Sequence, residues 1–201
     1  MRKYSSNLAF VDLLFNLLVG FTSLFVISFL LINPIAKKGV VDPPIRFMIE
    51  LKWADESPND IDLYIKGPTG SIIYYANREN GYITLKRDDL GLDNDIFEVN
   101  GKLTKVLRNY EVTTMSTLPD GDYVINVHFF AKRKNGPDFE PVEVRVTSLQ
   151  PYIVIHDSTI SLESYQERTI LTFTVKDGRI SEKRDDIQVK LRRSKMERGS
   201  S

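Results

Sequence analysis

From Leu8 to Ile32 the chain holds no Lys, Arg or Glu and a single Asp. No other stretch limits the possible folds so severely. A helix over those residues, rising 1.5 Å at each, reaches about 37 Å and exceeds a hydrocarbon core of about 30 Å. The run therefore reads as a transmembrane helix. It is too long for the apolar core of a secretory signal, and no convincing small-residue cleavage site follows it, so it reads as a retained anchor. After Asn33-Pro34 the chain becomes polar and alternating. This division predicts a head at 1–7, a transmembrane helix at 8–32, a linker at 33–44, a folded domain at 45–192 and a flexible tail at 193–201.

The apolar run is interrupted in a pattern. At about 100° per residue, Asp12, Asn16, Gly20 and Ser23 fall with Val19 on one strip of a helix. The remaining faces carry Leu, Phe, Val and Ile. An ionised Asp inside a bilayer costs about 3 kcal/mol on insertion scales. Near the first turns of a helix that cost is eased by the positive end of the macrodipole, which would make Asp12 an interface residue. Asn16, one turn further in, gains nothing from the interface, and its plain role is a helix-to-helix hydrogen bond. The two together fit a seam facing a protein-lined path on which Asp12 binds and releases a cation.

NLAFVDLLFNLLVGFTSLFVISFLLINP, preceded by Arg2 and Lys3, resembles the single span of the ion-driven motor subunits typified by MotB, ExbD and TolR. The resemblance covers about the first 35 residues. It implies that Asp12 picks up and releases a proton or sodium ion, with Asn16, Gly20 and Ser23 lining the route. It also implies a homodimer in the bacterial inner membrane, surrounded by five copies of a MotA/ExbB/TolQ-like multi-span protein. The N-terminus would be cytoplasmic and the domain periplasmic. Charge alone barely orients the span, because Arg2 and Lys3 face Lys37 and Lys38 across it.

Beyond Pro44 the period changes to two. Phe47, Ile49, Leu51 and Trp53 alternate with Arg46, Met48, Glu50 and Lys52, and Ile61, Leu63 and Ile65 repeat the pattern. Further strands are predicted in SIIYYA, around Phe97, and in VLRNYEV, DYVINVHFFA, VEVRVTSL, YIVIH, RTILTFTV and IQVKL. Gly67-Pro68-Thr69-Gly70, Pro119-Asp120-Gly121 and Asp177-Gly178 supply turns. The fold class expected is one transmembrane α-helix followed by an all-β antiparallel sandwich. The sandwich spans either 45–192, or 45–148 with a β-rich appendage. WADESPNDIDLYIKGPTGSIIYYANRE and PDGDYVINVHFF resemble secreted β-sandwich modules of the YfaP type, which implies an extracytoplasmic domain that binds rather than catalyses. Nothing in the chain resembles the OmpA-like peptidoglycan-binding domain of MotB. A specialised envelope motor, of the kind in Zorya-type phage defence, is the nearer analogy.

Acids cluster at Asp55, Asp60 and Asp62, and again at Asp88, Asp89, Asp93 and Asp95. Asp is an ordinary turn residue, and no EF-hand spacing is present. No metal site is therefore required, and the one alternative left open is calcium held by Asp60, Asp62, Asp93 and Asp95. With no cysteine and only His128 and His156, zinc and histidine-based catalysis have little to build on. No phosphate loop or nucleophile elbow is present, so the chain is not expected to be an enzyme. A net charge of zero argues against nucleic acid as a partner, the tail KLRRSKMERGSS being the only basic block. The expected alternative to a motor subunit is a membrane-tethered envelope binding module whose span is a passive anchor.

Overall fold

A computed structural model describes residues 5–32, 45–105 and 107–192. The chain forms two compact units, Met1–Asp42 and Pro43–Ser201. The linker expected at 33–44 and the tail expected at 193–201 lie outside the described residues, as does most of the head.

In the first unit a single helix, α1, runs from Ser5 to Ile32. Its segment Leu8–Leu31 is long and apolar enough to cross a membrane, and none of it is buried within the chain. Leu, Phe, Val and Ile satisfy no polar partner here, so the helix holds together through its own backbone bonds alone, as a span in lipid must. Two of its hydroxyls are satisfied in the same way. Thr22 Oγ1 donates to the Leu18 carbonyl at 2.7 Å and Ser23 Oγ to the Val19 carbonyl at 2.8 Å.

The second unit is all β. In chain order it comprises β1 (Phe47–Lys52), β2 (Asp60–Lys66), β3 (Ile72–Ile73), β4 (Ile83–Arg87), β5 (Ile96–Val99), β6 (Lys102–Lys105), β7 (Tyr110–Met115), β8 (Gly121–Ala131), β9 (Phe139–Leu149), β10 (Tyr152–Glu163), β11 (Glu167–Lys176) and β12 (Arg179–Arg184). One sheet has the order β10-β9-β1-β7-β4 and the other β12-β11-β8-β2-β3, while β5 and β6 pair as a separate ribbon. Because β10 joins the first sheet and β11 and β12 the second, the later strands belong to the same sandwich.

The alternation read in β1 becomes its burial. Ile49, Leu51 and Trp53 enter the core, where they meet Leu63, Ile125, Val127, Phe129, Val144 and Leu171. Each such side chain contributes about 1.5–3 kcal/mol on leaving water. Tyr123 and Phe173 stack across β8 and β11 with centroids 4.7 Å apart. The β11–β12 hairpin closes at Asp177-Gly178, both with positive φ, and their N–H groups donate to Asp120 at 2.8 and 3.0 Å.

Several segments differ from their expected form, among them β4 and β6, not expected as strands. SIIYYA yields only the two-residue β3, and RISEKR, unexpected as a strand, forms β12. IQVKL, at 187–191, is not a strand. Side chains serve its backbone in place of a ladder. Asn126 Nδ2 donates to the Val189 carbonyl at 2.6 Å, Val189 N–H donates to Thr169 Oγ1 at 2.8 Å, and Leu191 N–H donates to Glu167 Oε1 at 2.8 Å. An alternating segment has thus found a different set of partners for the same obligatory groups.

Candidate functional site

Two places gather polar groups where water is scarce. The first is the strip on α1. Asp12, Asn16 and Gly20 recur every fourth residue of one continuous helix, with Ser23 within the same arc of about 100°. A side chain at Gly20 would meet no other part of this chain within 4 Å. Ser23 keeps its hydroxyl hydrogen on its own helix, which leaves its oxygen as an acceptor for a passing donor.

The second place is in the sandwich, where β2 is buried on both faces. Ile61, Leu63 and Ile65 face the core, and Asp60, Asp62 and Tyr64 are buried as well. The short β3 pairs only with Ile65 and Lys66, so the earlier part of β2 has no strand on that side. Glu111 of β7, in the opposite sheet, caps that edge. Its Oε2 accepts the Leu63 N–H at 2.7 Å.

The chain after β4 completes the arrangement. Asp89 is fully buried, and its carboxylate accepts Arg87 Nη2 at 2.7 Å, the Gly91 N–H at 3.1 Å and the Tyr110 N–H at 3.3 Å. That set of bonds pins the loop to β7. Gly91 has φ +68°, and a Cβ there would lie 2.6 Å from the Pro58 and Asn59 carbonyls, so only glycine lets the loop press against the start of β2. Asp88 is thereby brought beside Asp62 and Glu111. One oxygen from each of Asp62, Asp88 and Glu111 lies within 4.8 Å of the others.

Burial sets the electrostatics. It raises Asp62 and Glu111 well above the ordinary carboxylate range, and the acids around them push in the same direction. Asp60 is raised to about 6, chiefly by burial and despite Arg133 nearby. Two enclosed oxygens, Asp62 Oδ2 and Glu111 Oε1, make no hydrogen bond.

Of the four acids considered for calcium from sequence, the structure brings Asp62 into this group. Asp60 stands beside it on β2, with Oδ2 3.4 Å from Arg133 Nη2. Asp93 is mostly exposed and pairs with the same guanidinium at 3.2 Å. Asp95 is buried elsewhere in the loop, and burial raises it too. Glu111 was missed in the sequence. The available signal was its parity, since Glu111 shares a face of β7 with Thr113 and Met115, both buried.

His128 is fully enclosed on β8. Arg192 Nη1 lies 2.7 Å from its Nε2; because Arg only donates, the ring must be neutral with its proton on Nδ1. Burial, aided by Arg192, lowers it to about 4. His156 sits at a bulge in β10 with Nε2 2.8 Å from Ser158 Oγ. Near His128, Tyr64, Tyr74, Tyr75, Phe130 and Arg192 line a cleft of about 540 Å³, in which Tyr64 and Tyr74 stack at 5.1 Å. In comparisons with protein-family models, with curated proteins and with solved structures, nothing matches this chain.

Proposed function

We propose that this chain is a single-pass subunit of an ion-driven motor in the bacterial inner membrane, with Asp12 as the group that takes up and releases a proton or sodium ion. The strip of Asp12, Asn16, Gly20 and Ser23 on an otherwise apolar helix is the observation that supports this reading. A lone anchor gains nothing from an acid and an amide one turn apart, whereas a helix facing a hydrated path needs both. One charge crossing 100 mV releases about 2.3 kcal/mol, enough per event to drive a step in a partner. The arrangement proposed is a dimer of this chain within five copies of a multi-span protein, the sandwich lying outside the cytoplasm and passing on or receiving force.

Asp12→Asn removes the charge and keeps the shape. Ion flux into vesicles from the native membrane is expected to fall to background, while insertion and the melting of the sandwich stay as they were. Wild-type flux in that variant would rule out Asp12 as the carrier. Gentle extraction with measurement of the intact mass is expected to give the multi-span partner in excess over two copies of this chain.

The tethered binding module is the second reading, and the aromatic cleft on the sandwich is what favours it. Stacked tyrosines beside an arginine suit a ligand with a flat face and a polar rim. For such a module Asp12→Asn changes nothing but the ease of insertion, and the chain is extracted without a ring.

A further inference from the structure

The strip on α1 gives no reason for an acidic cluster inside the sandwich, yet three carboxylates converge there from both sheets. We infer that Asp62, Asp88 and Glu111 form a binding site for a hard divalent cation, calcium, at the uncovered edge of β2. Oxygens bound to one calcium at 2.3–2.6 Å stand at most about 5 Å apart. The three acids meet that limit, with one oxygen each inside 4.8 Å.

The state of the individual oxygens points the same way. Asp62 is 2% exposed and Glu111 1%. Leu63 N–H occupies Glu111 Oε2, the Asp88 carboxyl is within hydrogen-bonding reach of the Glu111 carboxyl, and Asp62 Oδ2 is enclosed with no hydrogen bond. Polar atoms in native interiors rarely go without a partner, so an enclosed carboxyl oxygen calls for a proton or a cation. Protein cations balance the group only in part, Arg192 acting on Asp62 without an ion pair to it among the described residues. Arg78 reaches Asp88 at 3.4 Å, Arg133 serves Asp60 and Asp93, and Arg87 is held by Asp89. Asp88, with a side chain 15% exposed, is the least buried of the three and marks the side from which an ion would enter. All donors are oxygens, the chemistry of calcium rather than of zinc or copper. A bound ion would tie β2 of one sheet to β7 and the end of β4 in the other, where strand pairing is missing.

The test uses the full chain in detergent or nanodiscs, stripped with chelator and titrated with calcium chloride alone. Calorimetry is expected to show one saturable site per chain, and millimolar calcium to raise the melting temperature of the sandwich by about 5 °C or more. Glu111→Gln and Asp62→Asn keep the shape and remove charge; each is expected to abolish the heat and the shift while melting, metal-free, no lower than the wild type. Asp93→Asn is expected to keep both. Absence of binding heat in the wild type overturns the site, and so does a calcium shift that survives in both Glu111→Gln and Asp62→Asn. Neither measurement depends on Asp12, so its failure and that of the motor reading are separable.

Discussion

Asp12 and Asp62 are both carboxylates set among apolar residues, but the chain brings partners to them differently. On α1 every group of the strip lies within twelve residues, and helical periodicity alone aligns them. In the sandwich, Asp62, Asp88 and Glu111 come from three separate segments, and each arrives by a different device. Asp62 is carried by a strand with both faces covered, Asp88 by a loop pinned through Asp89 and Gly91, and Glu111 by the opposite sheet. A local array tolerates change around it, whereas a convergent one fails when any of its supports is removed.

The largest effect is expected at a support rather than at the site. Asn59 Nδ2 donates to the Pro137 carbonyl at 3.0 Å and to Glu140 Oε2 at 3.2 Å, and its Oδ1 accepts the Arg133 N–H at 3.0 Å. Asn59→Ala removes three bonds made by a fully buried amide, leaving Glu140 Oε2 with Ser57 Oγ alone, and is expected to destabilise the sandwich by about 4 kcal/mol in chemical denaturation. A loss below about 1 kcal/mol would mean that water replaces the amide and the network is not a support.

His128 tests the convergent region through pH. Its folded value of about 4 lies below the ordinary 6.5, so the neutral ring favours the folded state above pH 6.5, and that contribution is lost as pH falls through 4. Its cross-strand partner Asp62, together with Tyr64, Glu167 and Arg192, are titratable or charged groups around it. The stability of the wild type relative to His128→Gln is expected to drop by about 3 kcal/mol between pH 6.5 and 4. The comparison with the variant cancels the carboxylates, which titrate in both proteins. A flat difference across that window would show that the ring is already protonated in the fold.

The smallest effect belongs to the local array. Asn16→Leu is expected to weaken the proposed association of two spans by about 1 kcal/mol or less, measured as dimer dissociation in detergent, with no change in the melting of the sandwich. A change in sandwich melting would break the contrast between the two regions.

Much of this was legible in the sequence. The span was, because 3.6-residue periodicity and apolar length act locally, and so was the core face of β1, because alternation maps directly onto a half-buried strand. The neighbourhood of Asp60 and Asp62 with the later acids was readable as composition, but not which of them meet. The parity of Glu111 signalled its burial but not its partner, since that depends on where β7 lies against the bare edge of β2. IQVKL shows the reverse case, in which a strand-like pattern was present and Asn126, Thr169 and Glu167 took the backbone bonds instead.

Sequence by itself determined the division into one apolar helix and an all-β domain, and the alignment of Asp12 with Asn16, because both follow from the order of residues along a single element. Only the tertiary structure decided that Asp62, Asp88 and Glu111 share one enclosed space and that Asp93 pairs with Arg133. Those relations depend on which strands pair and where β3 ends. Strand pairing is settled by burial summed over the whole sandwich, and no short stretch of the chain carries that sum.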